Sequence, residues 1–407
     1  LSNFFKNIGP GSFVAAAFIG PGTVTVCTLA GVQFGFTLLW AMALSILATV
    51  VLQEMAVRLG LIYGQGLAET VKAEITSPFL KTIAILLILS AILVGNAAYE
   101  AGNISGGVLG LQTFFEENTI SFLGLQINYL SLLIGGIAFF LLFIGNYKYI
   151  ERSLIGLVIV MSISFLITAI ITKPDMIAVL RGIFIPRLPE EGLLMVLGLV
   201  GTTIVPYNLF LHASLVQEKW RGAKDLKAAR KDALVSILLG GVVSMAIIIC
   251  AASINQKVIS DVSGLAKGLE PLYGSFSKYF LGIGLFAAGI TSAITAPLAA
   301  AYVARGCFGW KGGLKSFKFR GVWMFVLLMG VVFSSLGLRP IEIIKFAQVA
   351  NGLLLPVIAG FLLWVVNRSS VLGTYKNSTL QNILGIVILI TTIVLGIFSL
   401  LKVFQFV

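Results

Sequence analysis

Apolar stretches dominate the chain and recur at a telling length. Each approaches the roughly 20 residues a helix needs to cross the hydrocarbon core of a bilayer, and short polar turns separate them. The pattern predicts eleven spanning helices, over residues 11–31, 38–60, 82–107, 130–146, 152–172, 192–217, 232–254, 279–305, 321–337, 340–366 and 382–403. Two of them are interrupted. The first carries Gly20-Pro21-Gly22 in mid-span, followed by Thr23, Thr25 and Thr28. The sixth carries Pro206, flanked by Gly201, Thr202, Thr203, Tyr207 and Asn208. Proline removes a backbone hydrogen bond and glycine permits unwound geometry. The groups freed in this way need a cavity, a ligand or a neighbour, because lipid offers no partner.

A single break of this kind is as well read as a kink in a packed helix. Two breaks, in the first and sixth spans, point further. Five spans then form one repeat, and an odd number of spans inverts the next repeat. Paired broken helices in two inverted halves mark the binding site of a secondary transporter. The predicted architecture is therefore an all-α polytopic membrane protein, one transmembrane domain over 1–407. Its inverted repeats cover about 11–172 and about 192–366, with an extra helix at about 382–403.

Composition agrees with this reading. The chain is 58% hydrophobic and only 11% charged, whereas soluble domains carry about 25% charged residues. A net charge of +12 would suit nucleic acid, but most of the 28 basic residues fall in loops on one side, including "EKWRGAKDLKAARK" and "RGCFGWKGGLKSFKFR". The other side shows "EENTISFLGLQIN", with no basic residue. The bias predicts a cytoplasmic N-terminus and an external C-terminus, in a bacterial plasma membrane, with lipid and not nucleic acid as partner. Oligomeric state is not legible. Cys27, Cys250 and Cys307 form neither a disulfide framework nor a metal-ligand spacing. An enzyme is not expected, since there is no HExxH and a single histidine leaves no Ser-His-Asp set. An ATP-driven pump is disfavoured, since the sequence shows no GxxxxGK[ST] loop and no soluble domain.

Several stretches bring a family into view. "IGPGSFVAAAFIGPGTVTVCTLAG" resembles the first helix of the Nramp family of proton-coupled divalent-metal transporters, and "QEMAVRLGLIYGQGLAE" its second helix and following loop. "YKYIERSLIGLV", "VGTTIVPYNLFLHASLVQ" and "AQVANGLLLP" are similar to its fourth-to-fifth junction, its sixth helix and its tenth. The resemblance runs from about residue 8 to 400 and implies a five-plus-five inverted repeat with broken first and sixth helices. The ligands depart from the family. Its metal carriers have Asp-Pro-Gly-Asn where this chain has Gly20-Pro21-Gly22-Thr23, and Met-Pro-His where it has Val205-Pro206-Tyr207. Of two acidic residues in the third helix only the second remains, as Glu100, with Ala97 in the other place.

These departures shape the expected cargo. Bringing a single charge into a low-dielectric interior costs on the order of 20 kcal/mol in the idealised limit, and metal sites offset this with anionic oxygens, imidazole or sulfur. Gly20, Thr23 and Val205 supply none of these, and their small volume predicts a wider cavity. The predicted substrate-binding set is Gly20, Pro21, Gly22, Thr23, Asn96, Thr202, Val205, Tyr207, Gln348 and Asn351. Asn96, Tyr99, Glu100 and Asn103 share one helical face, as do Glu342, Lys345, Gln348 and Asn351, although Glu342 and Lys345 read better as residues snorkelling at a helix end. Hydroxyls and amides suit a neutral, sugar-like solute, and that is the expected cargo. The alternatives are a divalent metal ion (manganese, iron or hydrated magnesium) and a receptor that does not transport. No cofactor or resident metal is expected. Protons are the expected coupling ion, with Glu100 and His212 as carriers; the family places a histidine here on its proton route, and histidine titrates nearest physiological pH. Sodium, held by Thr291, Ser292 and Thr295, is the lesser choice, because small residues there also serve helix packing.

Overall fold

The computed structural model describes residues 19–115, 119–122, 125–145, 148–254, 259–311 and 313–403. Among these, nine helices are long and apolar enough to cross a membrane. The first expected span begins outside the described residues; its visible part is α1, Pro21–Phe34. Then follow α2 (Leu39–Tyr63), α3 (Leu67–Glu74), α4 (Pro78–Leu111), the strands β1 (Thr119–Phe122) and β2 (Leu125–Asn128), α5 (Tyr129–Ile144), α6 (Lys148–Ile171) and α7 (Met176–Phe184). The second half comprises α8 (Leu193–Thr203), α9 (Pro206–Lys219), α10 (Leu226–Ala252), α11 (Ser277–Phe308), α12 (Phe317–Ser335), α13 (Pro340–Val366) and α14 (Thr379–Val403). The chain is an all-α membrane protein of the inverted-repeat type, apart, among the described residues, from an antiparallel strand pair that sets Thr119 opposite Asn128.

Helix ends follow from local chemistry. Pro21, Pro78, Pro206 and Pro340 open their helices, where a missing N–H costs nothing. The Ser77 hydroxyl accepts from Leu80 N–H, and the Asn128 side chain accepts from Leu130 and Ser131 N–H, so orphan donors find partners. Most expected spans run a few residues longer in the structure, since a helix continues through its polar ends once these caps are in place.

α9 advances alongside α2 in the same direction: Gln53 meets His212, and seven residues on Gly60 lies against Ala213 and Val216. Only a tight turn separates α1 from α2, so α1 runs the opposite way. The two half-helices thus leave their breaks toward opposite ends of the molecule. α4 forms the centre, packed on α11, α12 and α13.

At the α9 end, Arg58 is buried and gathers partners from distant sequence. It donates to Glu54 (3.1 and 3.0 Å), to the Tyr375 carbonyl (2.6 Å) and to Asn377 Oδ1 (2.6 Å). Arg230 at the start of α10 closes on the same Glu54 at 2.6 Å. At the other end of α14, Lys402 Nζ donates to the Glu190 carbonyl at 2.7 Å. Glu69 of α3 lies against Gly66 and Gly306. Burial lifts its carboxyl above the usual 4.5, opposed by a backbone hydrogen bond and by Arg305 and Lys72.

Candidate functional site

The two breaks meet. Gly20 is extended (φ −85°, ψ 176°) and α1 starts at Pro21. α8 stops at Thr203, and Val205 is extended (φ −75°, ψ 119°) before α9 starts at Pro206. Pro206 has no N–H for the Thr202 carbonyl, and the C-terminal end of α8 turns its partial negative charge toward the gap. The hydroxyls of Thr23 and Thr202 touch across it at 2.8 Å. Both are buried.

α13 supplies the third wall. Gln348 is buried and its side chain lies against Gly22, while its backbone carbonyl abuts Gly201. A Cβ at either glycine would drive into it. Its Oε1 has no hydrogen-bond partner, nor has Asn351 Nδ2 one turn on. Tyr99 of α4 packs edge-on to Tyr207, centroids 5.5 Å apart, and Gly106 of α4 lies against Pro21. The expectation of a wider cavity fails: the volume given up by small residues is taken by Gln348 and by the approach of the two threonines. A narrow crevice does reach Thr202, between α8 and α10, lined by Thr203, Ile237, Gly240, Gly241 and Ser244.

Gly20, Pro21, Gly22, Thr23, Thr202, Val205, Tyr207 and Gln348 therefore converge, with Asn351 beside them. Asn96 does not join them; its Nδ2 donates to the Ala296 carbonyl of α11 at 2.9 Å. Glu100 also points elsewhere, into the seam with α12, where its side chain fits against Gly330. One of its oxygens accepts from Asn103 at 3.2 Å and the other has no partner. His212 Nδ1 pairs with Gln53 Oε1 at 2.8 Å. Thr291 and Thr295 donate to carbonyls of their own helix. Glu342 and Lys345 pair with each other at 3.2 Å on the exposed first turn of α13, as snorkelling residues do.

Two polar residues escape the sequence-based set. Asn208, in the first turn of α9, is fully buried with neither amide atom partnered. Gln53 faces His212. The signal for each was an amide within a membrane-length span, Gln53 beside Glu54 and Asn208 beside Tyr207. Among the described residues no three of His, Cys, Asp and Glu gather closely enough to hold a metal ion. Among the described residues, the oxygens that face the gap from Thr23, Thr202 and Gln348 are neutral and hard.

A family model described as natural resistance-associated macrophage protein-like matches residues 11–402. The divalent metal cation transporter MntH of Caldanaerobacter subterraneus subsp. tengcongensis is 26% identical over 95% of this chain and 91% of its own. The protein of the same name from Bacillus subtilis is 24% identical, over 98% and 92%. Among solved structures, the Eremococcus coleocola manganese transporter, bound to an aromatic bis-isothiourea substituted compound, superposes with a TM-score of 0.75. It is 21% identical, covering 97% of this chain and 87% of that one. Mhp1, a nucleobase-cation-symport-1 family transporter, shares the fold at a TM-score of 0.57 and 13% identity, over 97% of this chain and 93% of its own.

Proposed function

The chain belongs to the natural resistance-associated macrophage protein-like family, and on that premise we propose that it carries a divalent metal cation, with part of its water shell, through the gap between α1 and α8–α9. The expected sugar-like solute is corrected here. Relatives covering nearly the whole chain are named for divalent metal cations, and the hydroxyls and amides first read as sugar ligands serve equally to bond the water around an ion. The family is one of transporters, not of enzymes.

The donor set decides the form of the cargo. Thr23, Thr202, the Gln348 amide oxygen and the carbonyl end of α8 are hard and uncharged. Magnesium gives up its water reluctantly and keeps several waters in protein sites, so neutral oxygens suit it. Manganese gains little from Thr23, Thr202 and Gln348, which present neither a soft nor an anionic donor. The observation that carries the reading is the Thr23–Thr202 contact at the paired break, where among the described residues no cluster of His, Cys, Asp and Glu gathers to hold a metal ion. Titration calorimetry with magnesium and manganese, beside uptake into proteoliposomes, tests it. Magnesium uptake with no preference for manganese is expected. Uptake of neither ion, or manganese bound far more tightly than magnesium, overturns it. The proton expected to accompany the ion is assigned to Glu100, and pH-dependent uptake that survives Glu100→Gln removes that role. The basic loops lie at the α9 end, which we assign to the cytoplasm.

A further inference from the structure

Positive charge gathers at the α9 end in two loops, and the two differ in what accompanies it. The segment 218–232 mixes its lysines and arginines with Glu218, Asp225 and Asp232. There Asp225 accepts from Arg221 N–H at 2.9 Å, and Arg230 reaches Glu54. The segment 305–320 has Arg305, Lys311, Lys315, Lys318 and Arg320 and no acid; none occurs anywhere between Glu270 and Glu342. Orientation in a membrane depends on lysine and arginine and hardly on acidic residues, so it does not account for their exclusion here.

These cations touch aromatic rings instead. Lys318 Nζ lies 5.9 Å from the Trp310 ring centre. The Arg320 guanidinium lies 4.5 Å over Phe143 at the end of α5, and its Nη2 donates to the Phe143 carbonyl at 3.4 Å. Among the described residues, none of Lys311, Lys315, Lys318 and Arg320 pairs with a carboxylate. The apolar side chains beside them face outward. Phe317 is 91% exposed, Phe308 and Leu314 are each 51% exposed, and Phe143 is 47% exposed. α11 ends at Phe308 and α12 begins at Phe317. Aromatic side chains at the ends of spans lie at the depth of lipid headgroups, and lysines there extend toward the phosphates.

We propose that the start of α12, with the ends of α5 and α11, binds an anionic phospholipid of the cytoplasmic leaflet. Lys315, Lys318 and Arg320 hold its phosphate. Phe317, which shares a face of α12 with Arg320 three residues on, lies along its acyl chains with Phe143. Charge and exposed rings together select this occupant: a soluble anion gains nothing from the rings, and a zwitterionic lipid brings a cation of its own to an unneutralised basic loop. Arg320 is already set in place on Phe143, which spares part of the ordering cost of binding. A lipid seated there ties the start of α12 to the end of α5 and stiffens that end of the molecule.

Melting of the full chain, delipidated in detergent, tests the site with added phosphatidylglycerol, phosphatidylcholine or soluble glycerol phosphate. Phosphatidylglycerol should raise the melting temperature of wild type by several degrees, and the other two should leave it unchanged. Lys315→Gln, Lys318→Gln and Arg320→Gln together should raise the phosphatidylglycerol concentration required roughly tenfold, as loss of three cations beside a charged surface implies. Lys224→Gln, Lys227→Gln and Lys231→Gln together remove equal charge from exposed positions of the other loop and should keep the wild-type response. An equal response to phosphatidylcholine or to glycerol phosphate, or equal weakening in the two triple variants, overturns the site. Should the first triple variant fail to fold, Lys318→Glu alone decides: a response weakened several-fold supports the site, and an unchanged one refutes it. No readout involves transport, so the lipid site and the proposed cargo fail separately.

Discussion

Gln348→Glu puts one negative charge into the gap without changing its shape. The side chain already lies against Gly22, and its Oε1 has no hydrogen-bond partner, so no protein bond is lost at that atom. With one water between carboxylate and ion, about 5 Å, a doubly charged cation gains about 7 kcal/mol at an effective dielectric of about 20. Burying the new carboxylate takes back several kcal/mol. A few kcal/mol should remain, tightening magnesium binding roughly tenfold to a hundredfold. Manganese, which sheds water more readily, should gain more. Calorimetry on purified wild type and variant measures both, with size-exclusion profiles confirming a folded protein. Unchanged or weaker binding of both ions by a folded Gln348→Glu variant would refute the placement of the ion beside Gly22.

Other changes test the scaffold. Glu54→Gln strands the buried Arg58, 2% exposed, and should cost about 3–5 kcal/mol, seen as a large fall in melting temperature in detergent; Arg230→Gln, at a side chain 42% exposed, should cost no more than about 1 kcal/mol. Gly201→Ala drives a Cβ onto the Gln348 carbonyl and Gly352 N–H and should destabilise by about 1–3 kcal/mol. Gly136→Ala meets nothing within 4 Å and should stabilise α5 by up to about 1 kcal/mol; equal melting shifts for these two would contradict the packing described. Because burial raises the Glu69 carboxyl above 4.5, its neutral form is favoured in the folded state. Its contribution is complete below the unfolded value and is lost as pH rises through the raised one. The stability of wild type relative to Glu69→Gln should therefore fall as pH climbs from about 4.5, and melting curves that keep a constant offset would exclude the effect.

Much of the scaffold was open to reading because lipid imposes a single rule, and long apolar runs obey it. The tenth span matches α13 residue for residue, and Pro206 located the break at Ile204–Val205 within two positions. The hairpin at 119–128 and the helix at 176–184 were not anticipated, being too short for a pattern tuned to full crossings. Two partners of Arg58, Tyr375 and Asn377, lie more than 300 residues away, and no local periodicity points to them. Within the gap, residue types were legible but directions were not. Asn96 and Glu100 share a helical face with Tyr99, yet that face spans three neighbouring helices. The cargo went astray for a chemical reason: a hydroxyl or amide bonds a sugar and the water around a metal ion in the same way.

Gln348 touches both halves of the pseudo-symmetric molecule, its amide against Gly22 and its carbonyl against Gly201. One residue on a third helix thus works as a spacer gauge, setting how near the two repeats approach. Trimming the lining residues of either repeat leaves that gauge in place, and the halves settle back onto it. Enlarging the passage takes a change at the gauge itself, or at both surfaces it is held between.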